Sequence, residues 1–555
     1  MNLLKNFLRE YRIVIALLLV FLILRIPGLS LPYHQDEWKN VSSSSSIESA
    51  GAFFAHPPLM QMSFVVGYSI LGANNFRVLP LLFSMISAIL LFIVVQRRAG
   101  RSSALWSLAL FVVCFYNILG SLQPDVDGSI VPLFLLLAVY FYDKKWLIPL
   151  IISCLIGLLF KLSFIIVIGA IVADYLLNNW RDRNIKSSIL GIVGIVGFGL
   201  LYTGALYLTK VFYPAFSIDL MFGHANQFAE GLGRNYLQIV VQGIKAVYYL
   251  SPLLIVPLLF TSKETFKKTR IFFLYLIWGA IFYFILFDFS RGALDKYLMF
   301  AIVPLSIIVG INISELIIKV RGHISKSIVV GGILSALLIL LNFLPQTVAA
   351  LYPKTEWFSR VLHGHWNVLT PLTGGSGPTG FYVSFMFIAV SYVICLVLGI
   401  TGIFKKEWRP SIAVILVMIG ISYNAVFAEE LLFGKINGNV ATVINQTAKY
   451  IQGQDSIKQV MSFNDIGNRE LSAIGKYAAR FYATPDFEIG HKDKFAEFTG
   501  QYMVIDIPHL YEDGFYGKFF AQCKVLFETS SGKIPGRVYD CLNAKKIIAT
   551  YSKYE

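Results

Sequence analysis

The chain has 555 residues, of which 56% are hydrophobic and only 14% charged, and its mean hydropathy is +0.66. Soluble domains carry about 25% charged residues, so this composition excludes an ordinary water-soluble protein. The formal net charge of +15 does not point to nucleic acid, because most basic residues cluster in short loops between apolar runs, as the positive-inside rule describes.

The first apolar run begins at Ile13, behind Lys5, Arg9 and Arg12. No small-residue cleavage site follows it, so it reads as an anchor rather than a removed signal peptide. Further basic segments at 96–101, 143–145, 181–186, 263–270, 319–326 and 405–409 are assigned to the cytoplasm. Between them the apolar runs predict about 13 spans, near 13–30, 76–95, 102–119, 128–142, 146–160, 163–178, 187–209, 237–260, 271–287, 297–317, 327–345, 380–403 and 410–428. The run 58–72 is short, and counting it would put Arg97, Arg98 and Arg101 outside. It is expected to lie on the outer surface or re-enter it.

The expected fold is a polytopic α-helical membrane protein over 1–428, with an outer catalytic loop at about 31–75. An odd number of spans places 429–555 outside as a small soluble α/β domain, with strand-like segments at 501–507 and 524–528 and a helical stretch at 468–482. Cys114, Cys154 and Cys395 lie in apolar runs and read as packing residues. Cys523 and Cys541 lie in the polar tail, where a disulfide is open on an extracytoplasmic placement. No CxxC or His/Cys zinc spacing occurs, and no internal repeat of the transporter kind is found.

The polar residues that stand out fall on one predicted side. Asp36 and Glu37 follow the first span within Tyr33-His34-Gln35-Asp36-Glu37-Trp38. One reading is a hydrated pair near the headgroups; the other is a base for an acceptor hydroxyl with a neighbour that orients the acceptor or its cation. Gln123-Pro124-Asp125-Val126-Asp127 suits a divalent cation such as Mg or Mn, or a pyrophosphate–metal contact, while Asp127 alone would serve as a helix N-cap. His56-Pro57-Pro58 is a rigid turn that fixes a His beside the acidic loop. Lys161 sits between two apolar spans, and Arg77, Arg291, Asp295, Lys296 and Tyr297 open others. Cations placed against the topological rule point to an anion, most simply a phosphate; pairing with lipid headgroups or with Asp288 and Asp295 is the alternative.

Together these residues resemble the GT-C superfamily of polytopic glycosyltransferases, above all the protein O-mannosyltransferase family and its bacterial relatives, which include the lipid A aminoarabinose transferase. The likeness is carried by Asp36-Glu37, His56-Pro57-Pro58-Leu59, Arg77 after Gly72-Ala73-Asn74-Asn75, the acidic second loop, Lys161, and Lys296-Tyr297 before Pro304, in that order over residues 1–310. It implies an inverting transfer of a hexosyl or pentosyl unit from a polyprenyl-phosphate sugar to a lipid, glycan or protein acceptor on the outer face of a bacterial inner membrane. Carried over, Asp36 is the base and Glu37 assists it. Asp125 or Asp127 binds the acceptor or a cation, and His56, Arg77, Lys161, Arg291, Lys296 and Tyr297 hold the donor. Some relatives have Lys where His56 stands and lack the Asp-x-Asp of the second loop, which leaves the need for a metal open. An O-antigen ligase or polymerase, hinted at by His363 and His365, and a lipid-linked sugar transporter are the competing readings.

Overall fold

The computed structural model describes residues 2–53, 56–179, 185–229, 236–287, 295–318, 324–344, 347–348, 363, 368–372, 379–481, 492–507, 509–510, 512 and 514–544. Arg291 and His365 lie outside the described residues. The chain divides into two compact units: Met1–Ser30, Lys39–Gly332 and Cys395–Ile421 form the first; Leu31–Trp38, Ile333–Ile394 and Ser422–Glu555 form the second.

Helices dominate the first unit. Their outward faces are as apolar as their buried ones: Leu200 is 69% exposed, Val211 71% and Ile148 72%. Such surfaces suit a lipid solvent, in which a helix satisfies its own backbone. Among the described residues nine helices are long and apolar enough to cross a membrane, or ten if the bent pair Arg101–Val113 and Phe115–Leu122 counts as one. The runs predicted at 128–142, 146–160 and 163–178 are also helical, but as helices of 15, 14 and 14 residues. At 1.5 Å per residue these reach little over 20 Å, short of a core about 30 Å thick. The expected 13 full spans therefore reduce to nine or ten by length. The short run after His56 is a helix over Pro58–Leu71.

The bend that shapes the first unit lies at Cys114, whose backbone is extended (φ −60°, ψ 120°), so that the flanking helices diverge by 64°. A break exposes helix-end carbonyls that must find donors inside the membrane. Asn117 Nδ2 donates to the Phe111 carbonyl at 2.7 Å, and the buried Arg25 guanidinium donates to those of Val112 and Phe21 and to Ser121 Oγ. A cation at a helix C-terminus is also favoured by the helix dipole.

After Phe115–Leu122 the chain loops over 123–129 and folds back so that Gly128 lies against Gly120. A Cβ on Gly120 would meet the Gly128 Cα at 2.9 Å, and one on Gly128 would overlap the Gly120 backbone. Gly128→Ala must push the loop outward; overpacking of this kind costs about 1–3 kcal/mol. The expected outcome is a lower melting temperature of the purified protein for Gly128→Ala, measured beside the unsubstituted protein.

The second unit holds a small sheet of β1 (Thr347–Val348), β2 (Val368–Leu372) and β3 (Phe381–Ser384), and a larger one of β4 (Val460–Phe463), β5 (Tyr477–Phe481), β6 (Gln501–Ile505), β7 (Lys524–Ser531) and β8 (Ile534–Asp540) in the order β5-β4-β6-β8-β7. The stretch expected to be helical over 468–482 is a helix only at Asn468–Ala473 and then becomes β5. In the larger sheet the first three strands of that order are parallel and the last two antiparallel. Helix Val440–Gln452, capped by Asn439 Oδ1 on Thr442 N–H at 2.8 Å, lays Val443, Ile444 and Ile451 on one face. The other face carries Phe463, Phe481, Phe495, Tyr502, Phe515 and Phe519. Alternation of apolar residues along β6 and β8 feeds both cores. Cys523 and Cys541 form a disulfide between the approach to β7 and the end of β8. Where the chain enters this domain, buried Glu430 accepts from Asn342 Nδ2 and Asn437 Nδ2, each at 2.7 Å.

Candidate active site

In the first unit, loop 123–129 presents Asp125 and Asp127 to two lysines. Lys296 Nζ lies 2.6 Å from Asp125 Oδ2, and Lys161 Nζ lies 3.0 Å from Asp127 Oδ2. All four side chains are at least nine-tenths buried. Lys161 is placed by an extended residue (φ −154°, ψ 128°) that separates two short helices, and Lys296 by the 3-10 turn Asp295–Ala301. Both ammonium groups lie over the Tyr297 ring, at 5.3 and 5.6 Å from its centroid. Such contacts strengthen when water is excluded. Arg77, fully buried, donates to the Leu122 carbonyl at 2.6 Å and so fixes the entry to the loop. Asp125 Oδ1 accepts from the Val126 N–H at 2.7 Å, and Ser129 Oγ donates to the Asp125 carbonyl at 2.9 Å.

Two carboxylates and two ammonium groups cancel, so the paired cluster is formally neutral. Burial disfavours the charge of Asp125, but the Lys296 and Lys161 ammonium groups outweigh it and hold its carboxyl below the usual range. Asp127 is pushed the other way: burial raises it, Lys161 only partly restores it, and the Asp125 carboxylate adds to the rise. Carboxyls whose titrations are driven apart can serve different roles.

His56 is brought into this electrostatic neighbourhood. Its carbonyl accepts from Gln61 Nε2 at 2.9 Å, and its ring meets His224 edge-on at 5.8 Å. Burial, then the positive charge of Lys161, hold its imidazole well below its ordinary titration at 6.5; Lys296 and His224 act in the same sense and Asp125 opposes them. Below that ordinary value the unfolded chain takes up a proton here that the folded protein refuses, so stability falls as pH drops through about 6.5. Melting temperatures followed down the acid limb should fall less steeply for His56→Gln than for the unsubstituted protein.

Asp36 and Glu37 belong to the second unit, in the first turn of helix Gln35–Ser43. Glu37 is fully buried, and its Oε2 accepts from the backbone N–H of His34 at 3.2 Å, the residue before the helix. A glutamate at the third helical position reaching back to the cap is half of a capping box, so Glu37 shapes the turn. Asp36, in contrast, is partly exposed. The same loop makes contacts that the sequence did not disclose: His34 Nε2 lies 2.6 Å from the Asn464 carbonyl, and Arg469 lies over the Tyr33 ring at 5.4 Å.

The structure thus gathers Asp125, Asp127, Lys161, Lys296 and Tyr297 in one cluster, with His56 and His224 coupled to it and Arg77 at the entry to the loop, and keeps Asp36 and Glu37 together on one turn. Sequence reading missed His224, Arg25, His34, Arg469 and the 464–467 loop; only the Asn464-Asp465-Ile466-Gly467 turn signal after an apolar run hinted at the last. Asp125 and Asp127, read as candidate metal ligands, each have a lysine on the oxygen a cation would take, and among the described residues no group of three His, Cys, Asp or Glu side chains is arranged to hold a metal. This donor set does not fit a divalent cation.

No protein-family model matches the chain, and no curated protein matches it in sequence. Solved structures do. The apo crystal structure of ArnT from Cupriavidus metallidurans superposes with a TM-score of 0.55 at 14% identity, over 95% of this chain and 97% of that one. ArnT from the same organism bound to undecaprenyl phosphate gives 0.52 at 14% identity, over 96% and 98%. With a helical membrane domain, a terminal sheet domain and this likeness over nearly the whole of both chains, the protein has the GT-C fold.

Proposed function

We propose that the protein is a membrane glycosyltransferase that moves a sugar from a polyprenyl-phosphate donor to an acceptor hydroxyl by a single inverting displacement. The observation that carries this reading is the pair of buried ion pairs Asp125–Lys296 and Asp127–Lys161, with buried Arg77 at the entry to their loop: cations held at helix ends within an apolar, multi-helix body. ArnT, whose fold the chain shares, has been solved with undecaprenyl phosphate bound, which supports the donor class.

Asp36 takes the proton of the acceptor hydroxyl. The oxygen attacks the anomeric carbon while the bond from that carbon to the phosphate oxygen breaks, and the electron pair leaves with the polyprenyl phosphate. The leaving phosphate gains negative charge, which Lys161, Lys296 and Arg77 stabilise; fixed cations in a dry site do this more effectively than water. The lysines supply this charge where other enzymes use a divalent cation. Glu37 sets the turn that presents Asp36. A phosphate acceptor would need no base. The disulfide Cys523–Cys541 favours an oxidising compartment for the terminal domain, which supports an extracytoplasmic active site.

A thermal-shift titration tests the donor class. Undecaprenyl phosphate should raise the melting temperature of the detergent-purified protein in a saturable way, equivalent to about 2.7 kcal/mol at 100 times its dissociation constant. Farnesol, with the tail type but no phosphate, should not. Equal shifts with both would remove phosphate recognition from the account.

A further inference from the structure

The loop that carries Asp36 and the loop that follows β4 belong to the same unit, and they touch through chemistry that dictates direction. A backbone carbonyl only accepts, so the 2.6 Å contact between His34 Nε2 and the Asn464 oxygen requires Nε2 to carry the proton and donate it. That fixes the ring orientation of His34, the residue immediately before the helix bearing Asp36 and Glu37. From the other side, Glu37 Oε2 accepts from the His34 N–H, and the Glu37 and Trp38 N–H groups both donate to the His34 carbonyl. One residue therefore holds the first turn at its backbone and is itself held at its side chain.

The partner loop is built to keep that carbonyl in place. Asn464 and Asp465 both adopt left-handed backbone conformations, at φ 52° and 59°, a region costly to residues with a Cβ and best tolerated by Asn and Asp. Such strain persists only where the surroundings over-determine it. Here Asn464 N–H donates to the Phe481 carbonyl at 2.8 Å, and the Asp465 carboxylate, 1% exposed, accepts from Tyr477 OH at 3.0 Å and pairs with Arg480. These tie the loop to β5. Arg469, on the helix that follows, adds its contact to the Tyr33 ring. The loop also sits at the carboxyl end of the central parallel strand, beside the point where β5 and β6 depart to opposite sides of β4. This is where open α/β sheets place their functional loops.

We propose that the terminal α/β domain is a positioning element for the catalytic base: His34, gripped by the Asp465-braced 464–467 loop, sets the turn that carries Asp36. This rests on the reading of Asp36 as the base of a glycosyl transfer. His34 and Asp465 are positioning residues, acting through the turn without touching substrate.

The test joins amide hydrogen exchange with kinetics on the full-length protein in nanodiscs, comparing the unsubstituted protein with His34→Phe, His34→Gln and Asp465→Ala. Gln places an amide N–H near the reach of Nε2, so it keeps the donor. His34→Phe and Asp465→Ala should both speed exchange of the amides in 31–43. Both should lower kcat by about 100-fold, the scale of an ångström misplacement, with KM for the donor unchanged. His34→Gln should restore both readouts. Faster exchange in 464–481 of Asp465→Ala with unchanged exchange in 31–43 would overturn the proposal, as would equal kcat losses in His34→Phe and His34→Gln. Absence of transfer by the unsubstituted protein would defeat the functional reading alone, because the exchange arm still decides whether the domain holds the turn.

Discussion

Asp36→Asn is expected to slow transfer by about 100- to 10,000-fold while leaving donor binding intact. Asn is close in shape and keeps a polar group on the helix turn, but it has no basic oxygen for the acceptor proton. Removing a general base costs about 100- to 10,000-fold in the chemical step. The half of the capping box made by Glu37 remains, so the turn should fold as before. Single-turnover rates with a labelled donor, beside undecaprenyl phosphate affinity, check this: the rate should fall within that range and the affinity should stay within about 2-fold, a free-energy change under 0.5 kcal/mol. Glu37→Gln differs in kind. Its loss strikes the turn through a buried position, so its effect should appear in stability as well as rate.

Lys296→Met is expected to damage the protein in two ways. It leaves Asp125, 2% exposed, with its nearest counter-ion gone. Breaking a buried pair by removing one partner costs about 3–5 kcal/mol, more than removing both. The substitution also deletes a cation from the proposed phosphate site. The two effects separate in a double substitution: Lys296→Met with Asp125→Asn should recover most of the lost melting temperature yet remain inactive and weak for undecaprenyl phosphate. If the double variant regains transfer, Lys296 serves only to neutralise Asp125.

The membrane character and most of the helices were legible because apolar length is a local property. Every predicted span coincides with an apolar helix among the described residues, and the three that are too short flank Lys144 and Lys161, where charge interrupts the run. The bend at Cys114 was not legible. It contains no Pro or Gly, and it exists because Arg25 and Asn117, from outside the break, satisfy the carbonyls that it frees.

At the site, residue types could be read but not their pairing. Asp125 and Lys296 are 171 positions apart, and Asp127 and Lys161 are 34 apart. The sequence therefore suggested acids for a metal and bases for an anion as separate sets, whereas the fold joins them into ion pairs. Glu37 was read as a helper in catalysis; its capping role was hidden because His is an unusual residue at a helix start. The terminal domain carried no motif, because its link to the turn bearing Asp36 runs through a backbone carbonyl.

The most direct measurement is turnover. Purified protein in nanodiscs would be given a polyprenyl-phosphate sugar labelled in the sugar, with cell-envelope extract as a source of acceptors, beside the Asp36→Asn variant. Label should pass to an acceptor with release of polyprenyl phosphate and inversion at the anomeric carbon, and all three should be lost in the variant. Transfer with retained configuration, or transfer undiminished in the variant, would contradict an inverting transfer with Asp36 as base.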